Sequence, residues 1–119
     1  MNINAFEINF PDVEIQDIRT KVASFPWHEM PKDGGWSFGT NIDYMRNLTD
    51  YWTAEYDWKS QEVRLNQFPN YKTKVDDIDI HFIFKKSSSS KAIPLILIHG
   101  WPGSIVEFLE IIDPLCEPE

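Results

Sequence analysis

Ala92-Ile93-Pro94-Leu95-Ile96-Leu97-Ile98 runs into His99-Gly100-Trp101-Pro102-Gly103 and then Ser104, and the fold class turns on these thirteen residues. A short, continuous apolar run ended by a Gly/Pro turn reads as a strand buried on both faces. Ser104 then caps a helix, and Glu107, three residues on, completes a capping box. Val106, Phe108, Leu109 and Ile112 supply the apolar positions of that helix, and Pro114 is expected to end it. Buried strand, tight turn and helix form the first half of a parallel α/β layer. A strand buried on both faces needs neighbours, and only two short strands precede it, so the layer is expected to be incomplete.

Working back along the chain, Lys85-Lys86-Ser87-Ser88-Ser89-Ser90-Lys91 is a low-complexity polar stretch, read as an exposed hairpin loop. Before it, Val75, Ile78, Ile80, Phe82 and Phe84 favour strand, and Ile78 to Phe84 alternates with period two. The first 69 residues read as helical. Asp12 is a candidate cap, and Ile15, Ile18, Val22 and Phe25 share one helix face until Pro26. Residues 26–39, with three glycines and two prolines, read as irregular loop. Thr40-x-x-Asp43 resembles a capping box at the start of a second helix, along which Leu48, Trp52 and Tyr56 recur every four residues. Asp57 caps a short third helix from Trp58 to Asn66, and Phe68-Pro69 closes the helical half.

The chain has 119 residues and carries 11 Lys+Arg against 19 Asp+Glu, a formal net charge of -8. That balance argues against nucleic acid, whose phosphates want a basic face, and against a polybasic membrane anchor. Hydrophobic residues make up 42%, with five Trp, so a packed core is expected. One cysteine, Cys116, excludes an intramolecular disulfide. The first ten residues lack the cationic start and apolar run of a signal peptide, and no stretch approaches the ~18 apolar residues of a membrane span. A cytoplasmic protein is the expectation.

Several residue groups invite a chemical reading. A sharp turn after a buried strand points backbone N–H groups at the carboxyl end of a sheet, and the next helix adds its positive N-terminus. An α/β hydrolase keeps its first oxyanion-hole donor at such a junction, although Gly and Pro can equally do no more than make the turn. Gly35-Trp36-Ser37-Phe38-Gly39 matches the nucleophile pattern G-x-S-x-G, but it follows Pro31-Lys32-Asp33-Gly34 in a loop rather than a strand-to-helix elbow, so Ser37 is not read as a nucleophile. Asp76, Asp77 and Asp79 read as turn-forming or solvated. His28 is expected in an exposed loop, His81 as a structural histidine in a strand, and His99 as ordering the turn. No pair of histidines has the spacing of a metal site. Asn47-Leu48-Thr49 is a glycosylation sequon set on a helix. The cluster Tyr51, Trp52, Tyr56 and Trp58, at helical spacing, reads as core or docking surface more than as a ligand box.

The wider pattern resembles the N-terminal segment of the microsomal-type epoxide hydrolases. The resemblance is carried by Asp50-Tyr51-Trp52-x-x-Glu55-Tyr56-Asp57-Trp58-x-x-Gln61-Glu62-x-x-Leu65-Asn66-x-Phe68-Pro69, by Ile78-Asp79-Ile80-His81-Phe82, and by Pro94 to Ser104 with Glu107-Phe108. It implies an α/β fold: a helical meander over residues 1–73, then over 74–119 the hairpin, buried strand, oxyanion loop and helix that begin an α/β-hydrolase core. It implies that the aromatic cluster packs the meander against the hydrolase body. The implied chemistry opens an epoxide with a carboxylate, forms an alkyl-enzyme ester and hydrolyses it with His-activated water, using no cofactor and no metal, in detoxification of small-molecule epoxides. Trp101 would supply a backbone N–H to the oxyanion hole, with His99, Gly100, Pro102 and Gly103 forming the turn. The family's nucleophile, acid, catalytic His and lid lie downstream of Glu119, so the 119 residues alone are expected to be inactive and prone to self-association through Leu95–Ile98. Asp77 departs from the turn Gly common in the family. The alternative is a catalytically silent module that folds alone or docks with and complements a hydrolase.

Overall fold

The computed structural model describes residues 2–29 and 34–118. Residues 30–33, part of the expected loop, lie outside them. The chain divides into two compact units, Asn9–Ser60 and Met1–Ile8 with Gln61–Glu119.

The Asn9–Ser60 unit is helical, as its periodicity predicts. It holds α1 (Asp12–Ala23), α2 (Ile42–Ala54), which packs on α1, and the start of α3 (Trp58–Leu65). Two of the three expected caps shift by one residue. Asp12 is already helical, and Pro11 stands at the cap position, its carbonyl accepting from Glu14 N at 3.0 Å. Asp12 and Glu14 therefore act through their charge at the positive end of the helix. Asn41, not Thr40, caps α2, its side chain accepting from Tyr44 N at 3.0 Å. Asn caps at least as well as Thr, and here it stands immediately before the first helical residue. Asp57 caps α3 as expected, accepting from Lys59 N at 3.0 Å and Ser60 N at 3.3 Å. Residues 35–38 form turns, closed by Ser37 N to Gly34 O at 2.8 Å and Gly39 N to Trp36 O at 3.3 Å.

The other unit is built on a three-stranded antiparallel sheet in the order β1 (Ile3–Ala5), β2 (Asn70–Val75), β3 (Ile78–Ile83). β1 pairs Ile3 with Thr73, and β3 pairs Phe82 with Tyr71. The β2–β3 hairpin turns on Asp76 and Asp77, with φ of 48° and 64°. Two central residues with positive φ give the turn whose twist matches that of the strands, and Asp tolerates this conformation better than most residues. Ile8, Leu65 and Leu109 form the buried core, with Phe6, Phe68, Ile83, Ile105 and Ile112 packed around it.

Asparagines tie this core together. Asn66 clamps the Ile8 backbone, accepting from its N–H at 2.9 Å and donating to its carbonyl at 2.8 Å. The buried Asn70 donates to the Leu65 and Phe68 carbonyls at 3.0 and 2.8 Å, and its Oδ1 lies 2.9 Å from His81 Nε2. The carbonyls at the end of α3 are thus satisfied by a side chain of the next strand, as a buried helix end requires.

Three expectations are overturned here. The run Ala92–Ile98 is neither a strand nor buried: Ile93, Ile96 and Ile98 are 88%, 82% and 84% exposed. A strand exists only through hydrogen bonds to a neighbour, and none of the strands among the described residues pairs with this run. The 85–91 stretch is accordingly a polar loop and not the loop of a hairpin. Nor does Pro114 end the last helix. A 3-10 turn over Ile105–Phe108 leads into α4 (Leu109–Cys116), and Pro114 lies inside it. The fixed φ of proline is already helical, so it removes one ladder bond without forcing the chain out of the helix. α4 is held by the buried Leu109, by an Arg64–Glu110 ion pair and by Lys85 Nζ to Asp113 Oδ1 at 2.5 Å. Ser88 adds bonds from its N–H (2.9 Å) and hydroxyl (2.6 Å) to the Glu117 carboxylate.

Candidate functional site

The segment from His99 to Glu107 is held by a short set of local hydrogen bonds. Gly103 N donates to the Gly100 carbonyl at 2.7 Å, closing a four-residue turn, and the Trp101–Pro102 peptide within it is cis. His99 Nδ1 lies 3.2 Å from the same Gly100 oxygen. Ser104 Oγ accepts from Val106 N at 3.3 Å, and Glu107 N donates to Ser104 O at 3.2 Å, so the helical turn begins directly after the loop. Gly103 cannot carry a side chain: a Cβ would overlap the Glu107 carboxylate and come within 2.8 Å of the Gly100 oxygen. Trp101 is 96% exposed, and among the described residues nothing accepts its N–H. Backbone N–H groups beside the start of a helix can donate to an anion.

A model of the "Epoxide hydrolase N terminus" matches residues 3–108. The chain belongs to the epoxide hydrolase family. It is 38% identical over 116 residues to a putative epoxide hydrolase of Stigmatella aurantiaca, covering 98% of this chain and 26% of that protein. It is 36% identical over 122 residues to juvenile hormone epoxide hydrolase 1 of Ctenocephalides felis, covering 99% of this chain and 26% of the relative. The Aspergillus niger epoxide hydrolase structure superposes with a TM-score of 0.85 at 32% identity, covering 95% of this chain and 30% of that one. The chain is thus an N-terminal epoxide hydrolase segment, spanning about a quarter of the length of these curated relatives. Its fold is the helical segment and first strands of an α/β hydrolase, incomplete as a layer.

Within this epoxide hydrolase segment the remaining chemical candidates each have their own local surroundings. Ser37 is exposed in the 35–38 turns, which are no strand-to-helix elbow. Asp76 and Asp77 form the hairpin turn. His28 is exposed. His81 is half-buried, against the edge of Phe6 and bonded to Asn70. Burial, then the charge of Lys72, hold its pKa below the ordinary value of 6.5, which keeps the imidazole neutral. No cluster of three or more His, Cys, Asp or Glu among the described residues could hold a metal ion. No helix among them is long and apolar enough to cross a membrane. The aromatic residues Tyr51, Trp52, Tyr56 and Trp58, with Phe10 and Leu48, line an open groove of about 450 Å³ in the Asn9–Ser60 unit instead of closing a core.

Sequence reasoning missed the asparagine clamps and the second contact of Glu107. The signal for the first was present, since Asn66 and Asn70 flank Phe68-Pro69 where a helix must end against a strand. The second had no signal beyond the capping-box spacing.

Proposed function

We propose that the chain supplies the oxyanion-loop end of an epoxide hydrolase that converts small-molecule epoxides to diols through an alkyl-enzyme ester. In this reading residues 1–73 are the helical meander and 74–119 begin the hydrolase core. Trp101 offers its backbone N–H to the oxyanion formed when the ester is hydrolysed, and His99, Gly100, Pro102 and Gly103 form the turn that presents it. The observation that carries the reading is the open Trp101 N–H in a turn closed at 2.7 Å and followed at once by a capped helical turn. Removing one oxyanion donor typically lowers the rate about 10²–10³-fold. The loop stabilises charge but does not attack carbon, so the nucleophile, the acid and the water-activating His come from elsewhere in the complete enzyme. The reaction uses no cofactor and no metal, and no nucleic acid takes part. The acidic balance and single cysteine suit a cytoplasmic enzyme of detoxification. The uncovered run Leu95–Ile98 also favours self-association of the 119-residue chain, because unpaired apolar backbone templates pairing with another copy.

Diol formation from a simple aryl epoxide tests the reading. The 119 residues alone are expected to give none above background. Joined in frame to the part of the Stigmatella relative beyond its matching segment, they are expected to give chelator-insensitive turnover. An inactive joined protein, or turnover by the 119 residues that Ser37→Ala abolishes, would overturn it.

A further inference from the structure

We propose that Glu107 is a positioning residue for the oxyanion loop, its carboxylate bracing Gly103 so that the Gly100–Gly103 turn, and the Trp101 amide within it, keep one geometry. The proposal rests on the reading of Trp101 as the oxyanion donor. Gly103 is bare where the carboxylate lies, because a Cβ there would overlap Oε1 and stand 2.7 Å from Cδ of Glu107. The backbone of Glu107 is itself fixed, its N–H bonded to Ser104 O. Its side chain is exposed and folds back onto Gly103. The other acidic residues of this segment are engaged elsewhere: Glu110 with Arg64, Asp113 with Lys85, Glu117 with Ser88. Glu107 alone of these carboxylates has no cation and no hydrogen-bond donor among the described residues, and what it touches is the loop. Its charge is tolerated in the first turn, where the helix end is positive.

The loop needs such a brace. Its internal ties are the Gly103–Gly100 bond and the contact of His99 Nδ1 with the Gly100 oxygen. Trp101, Pro102 and Ser104 are exposed, so no core packing holds them. Glu107 acts on the donor only through Gly103 and touches no reacting atom, which makes it a positioning residue and not a catalytic one.

Backbone ¹⁵N relaxation on the 119-residue chain tests this without any epoxide, so its outcome is independent of the turnover experiment above. In Glu107→Ala the order parameters of Trp101 and Gly103 should fall from about 0.85 to below about 0.6. The Gly103 amide should exchange roughly tenfold faster, as its bond opens more often. Glu107→Gln, which can place the same oxygen over Gly103, should restore both, and α4 from Leu109 to Ile112 should stay as ordered as before. The proposal is overturned if Glu107→Ala leaves Trp101 and Gly103 unchanged. Equal loosening of α4 also overturns it, since Glu107 would then be a helix-start residue. A loss in Glu107→Gln as large as in Glu107→Ala does so too, because charge and not contact would be what matters.

Discussion

The β2–β3 hairpin and the run Ala92–Ile98 are both strand-like in sequence, and the more apolar of the two is the one that is not a strand. Asn70–Val75 is bonded on both sides, by Ile3–Ala5 and by Ile78–Ile83. Ala92–Ile98 has no partner strand among the described residues, and its isoleucines face solvent. β-propensity describes fitness for a pleated, half-buried surface, and it produces a strand only where such a surface exists. The hairpin brings its own partner two residues away across Asp76-Asp77, whereas the apolar run pairs with none of the strands among the described residues.

The largest effect that sharpens this contrast is expected at Leu109, 5% exposed and in the core that the paired sheet shares with α4. Leu109→Ala should cost about 2–5 kcal/mol, read by urea or thermal unfolding, a loss that few small domains survive folded. Next comes Asn70→Ala, which strips the Leu65 and Phe68 carbonyls and His81 of their common partner. About 1–3 kcal/mol is expected from the same measurement, and a neutral result would mean that water replaces the clamp. The unpaired run should behave oppositely. Ile96→Lys and Ile98→Lys should change monomer stability by no more than about 0.5 kcal/mol, while shifting the chain toward monomer in size-exclusion chromatography. A loss as large as that of Leu109→Ala would show the run to be buried after all.

The smallest effect is a pH dependence within the sheet. Burial and Lys72 depress the pKa of His81 in the folded state below 6.5. Between that depressed value and 6.5 the unfolded chain binds more protons than the folded one, so stability rises with pH through this window. It is fully present above 6.5 and is lost as the pH falls through the window. Denaturant midpoints measured across the window should show this slope in the parent and lose it in His81→Gln.

Much of the frame is legible in the residues. Helical spacing of apolar residues gives α1 and α2, the Asp57 cap gives α3, and the alternation from Ile78 gives β3. The cap at α2 is off by one because Thr40 and Asn41 are adjacent and both able, and only the backbone decides which takes the role. β1 is invisible because Ile3–Ala5 is three residues long and carries no alternation; it exists through its pairing with Tyr71–Thr73. Pro114 misleads because its φ fits a helix even where its missing N–H does not. At the candidate site, glycines and proline mark the turn from His99 to Gly103, and the Ser104–Glu107 spacing marks the helix start. The contact of Glu107 with Gly103 depends on a side-chain conformation that no spacing specifies.

Amide hydrogen exchange on dilute, monomeric chain tests the central claim most directly, namely that pairing and not propensity decides which segment is a strand. The account predicts protected amides along Asn70–Val75, bonded on both sides, and amides at Leu95–Ile98 that exchange at the rate of unstructured peptide. Protection at Leu95–Ile98 comparable to that of β2, in a sample shown to be monomeric, would contradict it.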